Sequence, residues 1–273
     1  MACEMAFRVV ARRNIWDLTA NQAAACEGDP AAMHQMRIAL TRLRTAIAFF
    51  SPMAADSQRA QITDELKWLN AHLGAVRDLD VAIERLAKSE PYYRSWNKKR
   101  SDSHRLLAQA LRSARYRRLV QDTSDWVENG PWSIKRGKQA IRERALPIAA
   151  YGTDKLARWQ QKLLRKSRKL PEMDAEKRHR LRLLNKKLTY SIEAFDDLFS
   201  DRRFSGLQVS LKQLRKAQRC LGQLNDDANR RSMATALQRD GSEAHLRFLS
   251  PKREKQLLRT AATAYRKLAA ATK

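Results

Sequence analysis

The chain has 273 residues, of which 55 are lysine or arginine and 29 are aspartate or glutamate, so its formal net charge is +26. It contains only 8 glycines and 7 prolines, about half the usual proportion, which favours a mostly helical fold with few tight turns. The charge argues against a cationic partner and indicates a polyanion: nucleic acid, an anionic membrane surface or a phosphate polymer.

The cysteines and the hydropathy pattern indicate the type of cellular compartment. Cys3, Cys26 and Cys220 include no CxxC pair, which argues against a disulfide framework and against a zinc ribbon. No apolar run approaches the length of about 18 residues that a membrane span needs, and the amino-terminal sequence MACEMAFRVVARRN lacks the features of a signal peptide. We therefore expect a soluble, cytoplasmic protein that does not insert into a membrane.

Helical spacing of apolar residues predicts four helices before the strongest stop signal, Gly130–Pro131. Gly28 is expected to end the first helix in a left-handed conformation, and Asp29 with Pro30 is expected to start the second. The four predicted helices cover about residues 4–27, 29–50, 56–86 and 92–128.

The second predicted helix carries two stripes of opposite character. Its apolar residues recur at three- and four-residue steps, as in a helix packed in a bundle: Met36, Leu40, Leu43, Ile47 and Phe50. A polar stripe lies one position further round the helix, about 100° away: His34, Arg37, Thr41 and Arg44. Cations on this stripe would lie at the edge of a buried interface, where they need an anion.

The rest of the chain repeats this arrangement. A helix predicted to start near Asp174 carries a second polar stripe beside apolar residues: His179, Arg182, Lys186 and Thr189. A shift of 145 positions pairs His34 with His179, Arg37 with Arg182 and Arg42 with Lys187. A shift of 148 positions aligns the following helices, pairing Leu66 with Leu214, Lys67 with Arg215, Gly74 with Gly222 and Asp78 with Asp226. Two matched blocks at nearly the same offset predict an internal duplication.

The duplication predicts an all-α protein of two pseudo-symmetric four-helix bundles that share an interface, residues 1–130 and residues 131–273. The first half carries a net charge of +5 and the second +21, so the second half supplies most of the electrostatic field. The last helix is expected to open at Gly241 and Ser242 and to bend at Pro251.

Five motifs follow one another along the chain: the segment His34–Arg44, the run Leu73-Gly74-x-x-Arg77-Asp78-x-Asp80, the pattern Arg115–Leu119 with Trp126, the repeat bearing His179 and Arg182, and the run Leu221-Gly222-x-x-Asn225-Asp226. Together they resemble the CHAD domain, the conserved histidine α-helical domain. The resemblance spans nearly the whole chain.

This resemblance implies two four-helix bundles with a basic central groove that binds inorganic polyphosphate, without a catalytic reaction and without a cofactor. Members are often linked to polyphosphate granules or to tunnel-type triphosphatase domains, and we expect no second domain of that kind in this chain. The candidate polyphosphate-binding residues are His34, Arg37, Arg42, Arg44, Lys67, Arg77, Arg115, Arg118, His179, Arg182, Lys186, Lys187, Arg215 and Arg219.

The sequence departs from the family pattern at two positions. Thr41 and Thr189 stand where the family usually places Arg or Lys. The matching position of the other half holds a cation in each case, Lys186 for Thr41 and Arg44 for Thr189, so the total charge is nearly kept.

The candidate cations and histidines also have structural interpretations. His34 and His179 either donate to an anion or hydrogen-bond a facing carboxylate, and the arginine fork suits phosphate oxygens better than a neutral imidazole does. The basic residues otherwise form a solvated helix face. Lys67, Arg215 and Arg219 point either inward or outward.

The glycines and aspartates of the repeated motifs have interpretations of their own. Gly74 and Gly222 are expected to allow close helix approach or a local bend, with direct backbone contact to phosphate as the alternative. Asp78 and Asp226 suit partners of a neighbouring Arg or His better than they suit acids in catalysis.

Catalysis and metal binding find little support in the sequence. The histidines do not pair with one another, with a cysteine or with a carboxylate at zinc-binding spacing on one helix turn: His34, His72, His104, His179 and His245. The sequence contains no GxSxG motif, no Cys-His signature and no P-loop glycine run. We therefore expect a binding protein rather than an enzyme, with no metal site.

Two other functions stay open. An RNA- or DNA-binding helical protein would also explain the charge of +26, although the sequence has no recognised nucleic-acid motif and only 7% aromatic residues. A triphosphatase acting on phosphate anhydrides would need a cluster of acidic metal ligands, which the sequence does not offer.

Overall fold

Helices form the secondary structure of the residues that the computed structural model describes, 1–83, 93–196, 205–239 and 248–271. These ranges contain no β-strand, so the predicted all-α class is confirmed. None of the helices described there combines the length and apolar character that a membrane crossing requires. The α-helices are α1 (Cys3–Ala20), α2 (Gln22–Cys26), α3 (Pro30–Phe49), α4 (Gln58–Ile83), α5 (Tyr93–Arg112), α6 (Ala114–Asn129), α7 (Lys138–Ala145), α8 (Ile148–Ser167), α9 (Ala175–Asp196), α10 (Ser205–Arg239) and α11 (Pro251–Ala270), with short 3₁₀ helices at Pro131–Ile134 and Leu170–Glu172.

The chain forms two compact units, Met1–Tyr151 and Gly152–Lys273. The segment that follows Gly130 belongs to the first unit because it returns to the amino terminus, where Cys3 N donates a hydrogen bond to Leu146 O at 2.9 Å. The unit boundary therefore lies further along the chain than the predicted division after Gly130. The division into residues 1–130 and 131–273 describes the two copies of the predicted repeat rather than the compact units. It stays a prediction, as do the internal duplication and the shared groove.

Helix α3 begins as the sequence predicts. Gly28 has a left-handed φ of 85°, Asp29 Oδ1 accepts a hydrogen bond from Ala32 N at 2.8 Å, and Pro30 occupies the first turn. The residues of its predicted apolar stripe are all buried: Met36, Leu40, Leu43, Ile47 and Phe50. This stripe packs α3 against α1 and α4, which sets the rotation of α3 about its own axis.

Two of the predicted helices are each broken by one polar residue. The predicted helix 4–27 consists of α1 and α2, because Asn21 ends α1 and its Nδ2 donates to the carbonyl four residues earlier at 2.7 Å. The predicted helix 92–128 consists of α5 and α6 over its described part, because Ser113 is extended and its Oγ accepts from Tyr116 N at 3.2 Å. Short polar side chains offer the backbone such alternatives to the helical ladder, so the expectation of two continuous helices is wrong.

Asp56 ties the start of α4 to the end of α6. Its Oδ1 accepts from Arg59 N at 2.9 Å, in the manner of a helix cap. Its Oδ2 accepts from Trp126 Nε1 at 2.9 Å and from Trp132 N at 3.1 Å. One carboxylate thus joins α4, α6 and the 3₁₀ helix after α6, all of which belong to the first unit.

Asn185 has the corresponding role in the second unit. This fully buried side chain donates from Nδ2 to Leu214 O of α10 at 3.1 Å, and its Oδ1 accepts from Tyr265 OH of α11 at 3.1 Å. Because a buried amide needs all of these partners, α9 is held in one rotation against α10 and α11.

Helix α11 begins at Pro251, where the sequence analysis expected a bend. Ser250 is extended and its Oγ accepts from Arg253 N at 3.2 Å, which makes Pro251 the first residue of the helix. The expected bend is therefore wrong, and the expected start at Gly241 lies outside the described residues.

Candidate functional site

The α3 basic face comprises His34, Arg37 and Arg44 of the polar stripe together with Arg42, which lies about 160° from Arg44 round the helix. His34 is exposed, whereas the three arginines are partly buried beside the apolar stripe of α3. Arg44 forms no ion pair with any residue that the structure describes, and burial lowers the pKa of its guanidinium. A cation that has lost part of its water without gaining a carboxylate partner carries a free-energy cost. An anion that binds beside it would reduce this cost.

The α9 basic face consists of His179, Arg182, Lys186 and Lys187. Arg182, Lys186 and Lys187 are partly buried, and Arg182 Nε lies buried without a hydrogen-bond partner among the described residues. Lys187 Nζ lies 4.3 Å from the centroid of the Trp159 ring on α8. Burial lowers the pKa of Lys187, and the positive charges of two further α8 lysines lower it as well.

His179 is oriented by a neighbouring helix. Its Nδ1 donates to Asn225 Oδ1 of α10 at 2.5 Å. This contact uses Nδ1 within the protein and leaves only Nε2 for a ligand, whereas an arginine or lysine presents several donors. The arginines and lysines of the α9 basic face are therefore its main donors to an anion.

Both threonines that depart from the family pattern use their hydroxyls inside their own helix. Thr41 Oγ1 donates to Arg37 O at 2.7 Å, and Thr189 Oγ1 donates to Asn185 O at 3.0 Å. These hydroxyls satisfy carbonyls one turn back, so they add no donor to either basic face.

Three of the candidate cations are neutralised by carboxylates. Lys67 Nζ lies 2.7 Å from Asp64 Oδ1, Arg115 donates to both oxygens of Glu65 at 2.7 and 2.9 Å, and Arg215 donates to Glu193 Oε1 at 2.8 and 3.2 Å. The hydrogen bonds from Arg115 lower the pKa of Glu65. The structure therefore gives these three cations carboxylate partners, which the α3 residue Arg44 lacks among the described residues.

The remaining candidates are Arg77, Arg118 and Arg219. All three are exposed, and none forms an ion pair with a residue that the structure describes. Arg118 lies close enough to Glu65 for its charge to lower the pKa of that carboxyl, which places it beside the Arg115–Glu65 pair.

The glycines of the repeated motifs do not mark a close helix approach. A Cβ added to Gly74 or to Gly222 would meet no described atom within 4 Å. The expectation of close helix approach at these positions is therefore wrong, while the local bend and the alternative of direct backbone contact with phosphate stay predictions.

No group of histidine, cysteine, aspartate or glutamate side chains that could hold a metal ion occurs in the described part of the chain. His104 Nε2 lies 3.0 Å from Asp80 Oδ1, which also accepts from Arg100 Nε at 2.7 Å. His72 meets the edge of the Trp68 ring. His245 lies outside the described residues.

Two lysines beside the α9 basic face were absent from the sequence-based set. Lys155 and Lys162 of α8 are the residues whose charges act on Lys187. Lys155 and Lys162 are seven residues apart with Trp159 between them, a spacing that places them on one face of a helix. The sequence did not show that this face lies beside α9.

The comparison with protein families identifies the fold. A sequence model of the CHAD domain matches residues 10–235, most of the chain. The chain belongs to the CHAD domain family. The resemblance drawn from the five motifs is thereby confirmed, and no curated protein shows significant sequence similarity.

Two solved structures share this CHAD fold. The CHAD domain from the plant Ricinus communis has a TM-score of 0.74 and 23% identity, covering 99% of this chain and 88% of that chain. PptA from Streptomyces chartreusis has a TM-score of 0.59 and 15% identity, covering 100% of this chain and 97% of that chain. At these identities the likeness shows the fold alone.

The cost of keeping Arg44 without a carboxylate gives a first prediction. Replacing Arg44 by Met removes a desolvated charge and keeps an unbranched side chain, so Arg44→Met should raise the free energy of unfolding by about 1 kcal/mol in the absence of polyanions. Urea unfolding followed by circular dichroism measures the change. The matched control Arg118→Met removes an exposed charge and should stay within about 0.5 kcal/mol of the wild type. A destabilised Arg44→Met protein would show that Arg44 already has a favourable partner.

Proposed function

We propose that this CHAD protein binds inorganic polyphosphate through the α3 and α9 basic faces and does not catalyse a reaction. The observation that carries the proposal is the pair Arg44 and Lys187. Each is partly buried, each has its pKa lowered by burial, and neither has a carboxylate partner among the described residues. Phosphate oxygens would supply the negative charge that these side chains lack.

The form of the ligand follows from the spread of the cations. The α3 basic face extends over about three turns of helix, from His34 to Arg44, and the α9 basic face over about two turns, from His179 to Lys187. A flexible polymer with about one negative charge per phosphate can follow such a row and release its counterions, as a nucleic acid does. Affinity should therefore rise with polymer length and fall steeply with salt.

The family resemblance adds two expectations to this proposal. It leads us to expect a basic groove shared by the two halves and an association with polyphosphate granules in the cytoplasm, and both stay predictions from the sequence. The desolvated cations that support the proposal belong to each face by itself, so polyphosphate binding does not require that groove.

A charge-matched pair of double variants tests the residues. Arg44→Ala/Lys187→Ala should weaken binding of long-chain polyphosphate at each face by about 1.5–3 kcal/mol, because a charged hydrogen bond contributes about that much. The control Lys67→Ala/Arg215→Ala removes the same two charges, but from residues that are paired with Asp64 and Glu193. Its affinity should fall by about 1 kcal/mol or less.

Isothermal titration at two salt concentrations measures both variants, with circular dichroism to show that they are folded. Equal losses in the two double variants would mean that total charge alone drives binding. An unchanged affinity in Arg44→Ala/Lys187→Ala would remove these two residues from the site.

Nucleic acid is the alternative partner, because the net charge of +26 would attract it as well. A competition experiment separates the two ligands. Protein carrying bound long-chain polyphosphate should retain it when challenged with equal phosphate equivalents of RNA, as measured by retention of labelled polyphosphate on the immobilised protein. Displacement by RNA would favour the nucleic-acid function.

The absence of catalysis is part of the proposal and needs its own measurement. Phosphate-anhydride cleavage usually relies on metal ions held by carboxylates, and the protonated lysine and arginine side chains of the two basic faces are not metal ligands. Incubation with polyphosphate or a nucleoside triphosphate, with Mg²⁺ or Mn²⁺, should release no phosphate above a protein-free blank. Release that scales with protein concentration would make this chain an enzyme.

A further inference from the structure

Three lysines of the second unit converge beside one tryptophan. Lys155, Trp159 and Lys162 follow one another on α8 at steps of four and three residues, which places them on one face of that helix. Lys187 reaches this face from α9, with its Nζ 4.3 Å from the centroid of the Trp159 ring. The two helices therefore meet at a surface that carries three ammonium groups.

The ammonium groups of this cluster are partly desolvated. Lys155 and Lys187 are both partly buried, whereas Lys162 is exposed. Burial lowers the pKa of Lys155, and it lowers the pKa of Lys187, on which the charges of Lys155 and Lys162 also act. The three positive charges thus repel one another in a region with less water than the open surface.

No carboxylate of the described residues forms an ion pair with these lysines. The nearest acidic group in the sequence, Asp154, is paired with Arg158 at 2.7 Å. The face of Trp159 stabilises one ammonium group by a cation–π contact but cannot neutralise three. The cluster therefore carries an electrostatic cost that an external anion would remove.

The geometry points to a phosphate subsite formed by Lys155, Lys162 and Lys187 around Trp159, which extends the α9 basic face onto α8; this inference rests on the proposed binding of polyphosphate. The α8 lysines are about 10 Å apart along the helix axis. A chain of linked phosphates can therefore neutralise more of the cluster than a single phosphate ion can. Lysines act as point charges without the fixed fork of arginine, so the subsite would tolerate several positions of the chain.

Charge-matched variants of the second unit test this subsite with long-chain polyphosphate as the probe. Lys155→Ala/Lys162→Ala should weaken binding about tenfold, because ion pairs of exposed or half-exposed lysines contribute only a few-fold each to affinity, and should reduce the slope of log affinity against log salt by about 1.5, as expected for two lost phosphate contacts. The control Lys252→Ala/Lys255→Ala removes two exposed lysines of α11 and should leave both quantities unchanged. Orthophosphate at equal phosphate concentration should bind wild type far more weakly than the polymer does.

Chemical labelling of the wild-type protein gives a second readout that does not depend on a variant. Acetic anhydride modifies neutral amines, and mass spectrometry then reports the extent of acetylation at each lysine. Bound polyphosphate should protect Lys155, Lys162 and Lys187 several-fold, while Lys252 and Lys255 of α11 should be labelled equally with and without the polymer.

The outcomes separate the subsite from the proposed function. In one outcome, wild type binds polyphosphate and Arg44→Ala/Lys187→Ala weakens binding, but Lys155→Ala/Lys162→Ala behaves like its α11 control and the α8 lysines are not protected. This outcome overturns the subsite and leaves the proposed function standing. If wild type does not bind polyphosphate at all, both fail. Equal losses in Lys155→Ala/Lys162→Ala and in its α11 control would show a general charge effect and would overturn the subsite.

Discussion

The interaction on which this structure depends is the burial of an apolar stripe directly beside a row of cations on the same helix. Leu40 and Leu43 of α3 are fully buried, and Arg44 follows Leu43 by one position, so the packing that stabilises the first unit also draws the guanidinium partly out of water. A helix cannot rotate to rehydrate Arg44 without exposing these leucines, since about 100° separates neighbouring residues. The cost of the desolvated charge is small compared with the apolar area that the stripe buries.

The number of charges is a poor guide to function in this protein, because its cations include two classes in physically different environments. Arg115 and Arg215 hold carboxylates of adjacent helices at hydrogen-bond distance, and such exposed pairs contribute little to binding anything else. Arg44 and Lys187 have lost water and gained no carboxylate among the described residues. Under the proposed function, the net charge of +26 would attract a polyanion to the surface, and the second class of cations would hold it there.

The sequence predicted the features that depend on local chemistry. The cap at Asp29, the left-handed Gly28, the apolar stripe of α3 and the family itself could all be read from residue spacing. The breaks at Asn21 and Ser113 were missed, because one short polar side chain replaces a helical hydrogen bond and leaves the apolar spacing on either side intact.

The division of the cations into two classes could not be predicted, because it depends on contacts between distant segments. Glu65 meets Arg115 across 50 positions of the chain, and nothing in the local spacing of either residue indicates the other. Lys155 and Lys162 were overlooked for the same reason, since the proximity of α8 to Lys187 is a property of the packed unit. Open space beside Gly74 and Gly222 likewise depends on where neighbouring helices run.

The two basic faces differ in a way that the paired motifs conceal. On α3 the partly buried cations are arginines, whose planar forks bind phosphate oxygens in fixed directions. On α9 two of the three are lysines, and the adjoining α8 face adds Lys155 and Lys162, so this surface is built from point charges and rotatable side chains. Thr41 and Thr189 use their hydroxyls within their own helices, so neither basic face has a threonine donor for an anion. The faces therefore differ mainly in their content of arginine and lysine. Under the proposed function, a phosphate bound at the α3 basic face would therefore be held in fixed directions, whereas a phosphate bound beside α8 and α9 would be attracted with little directional preference.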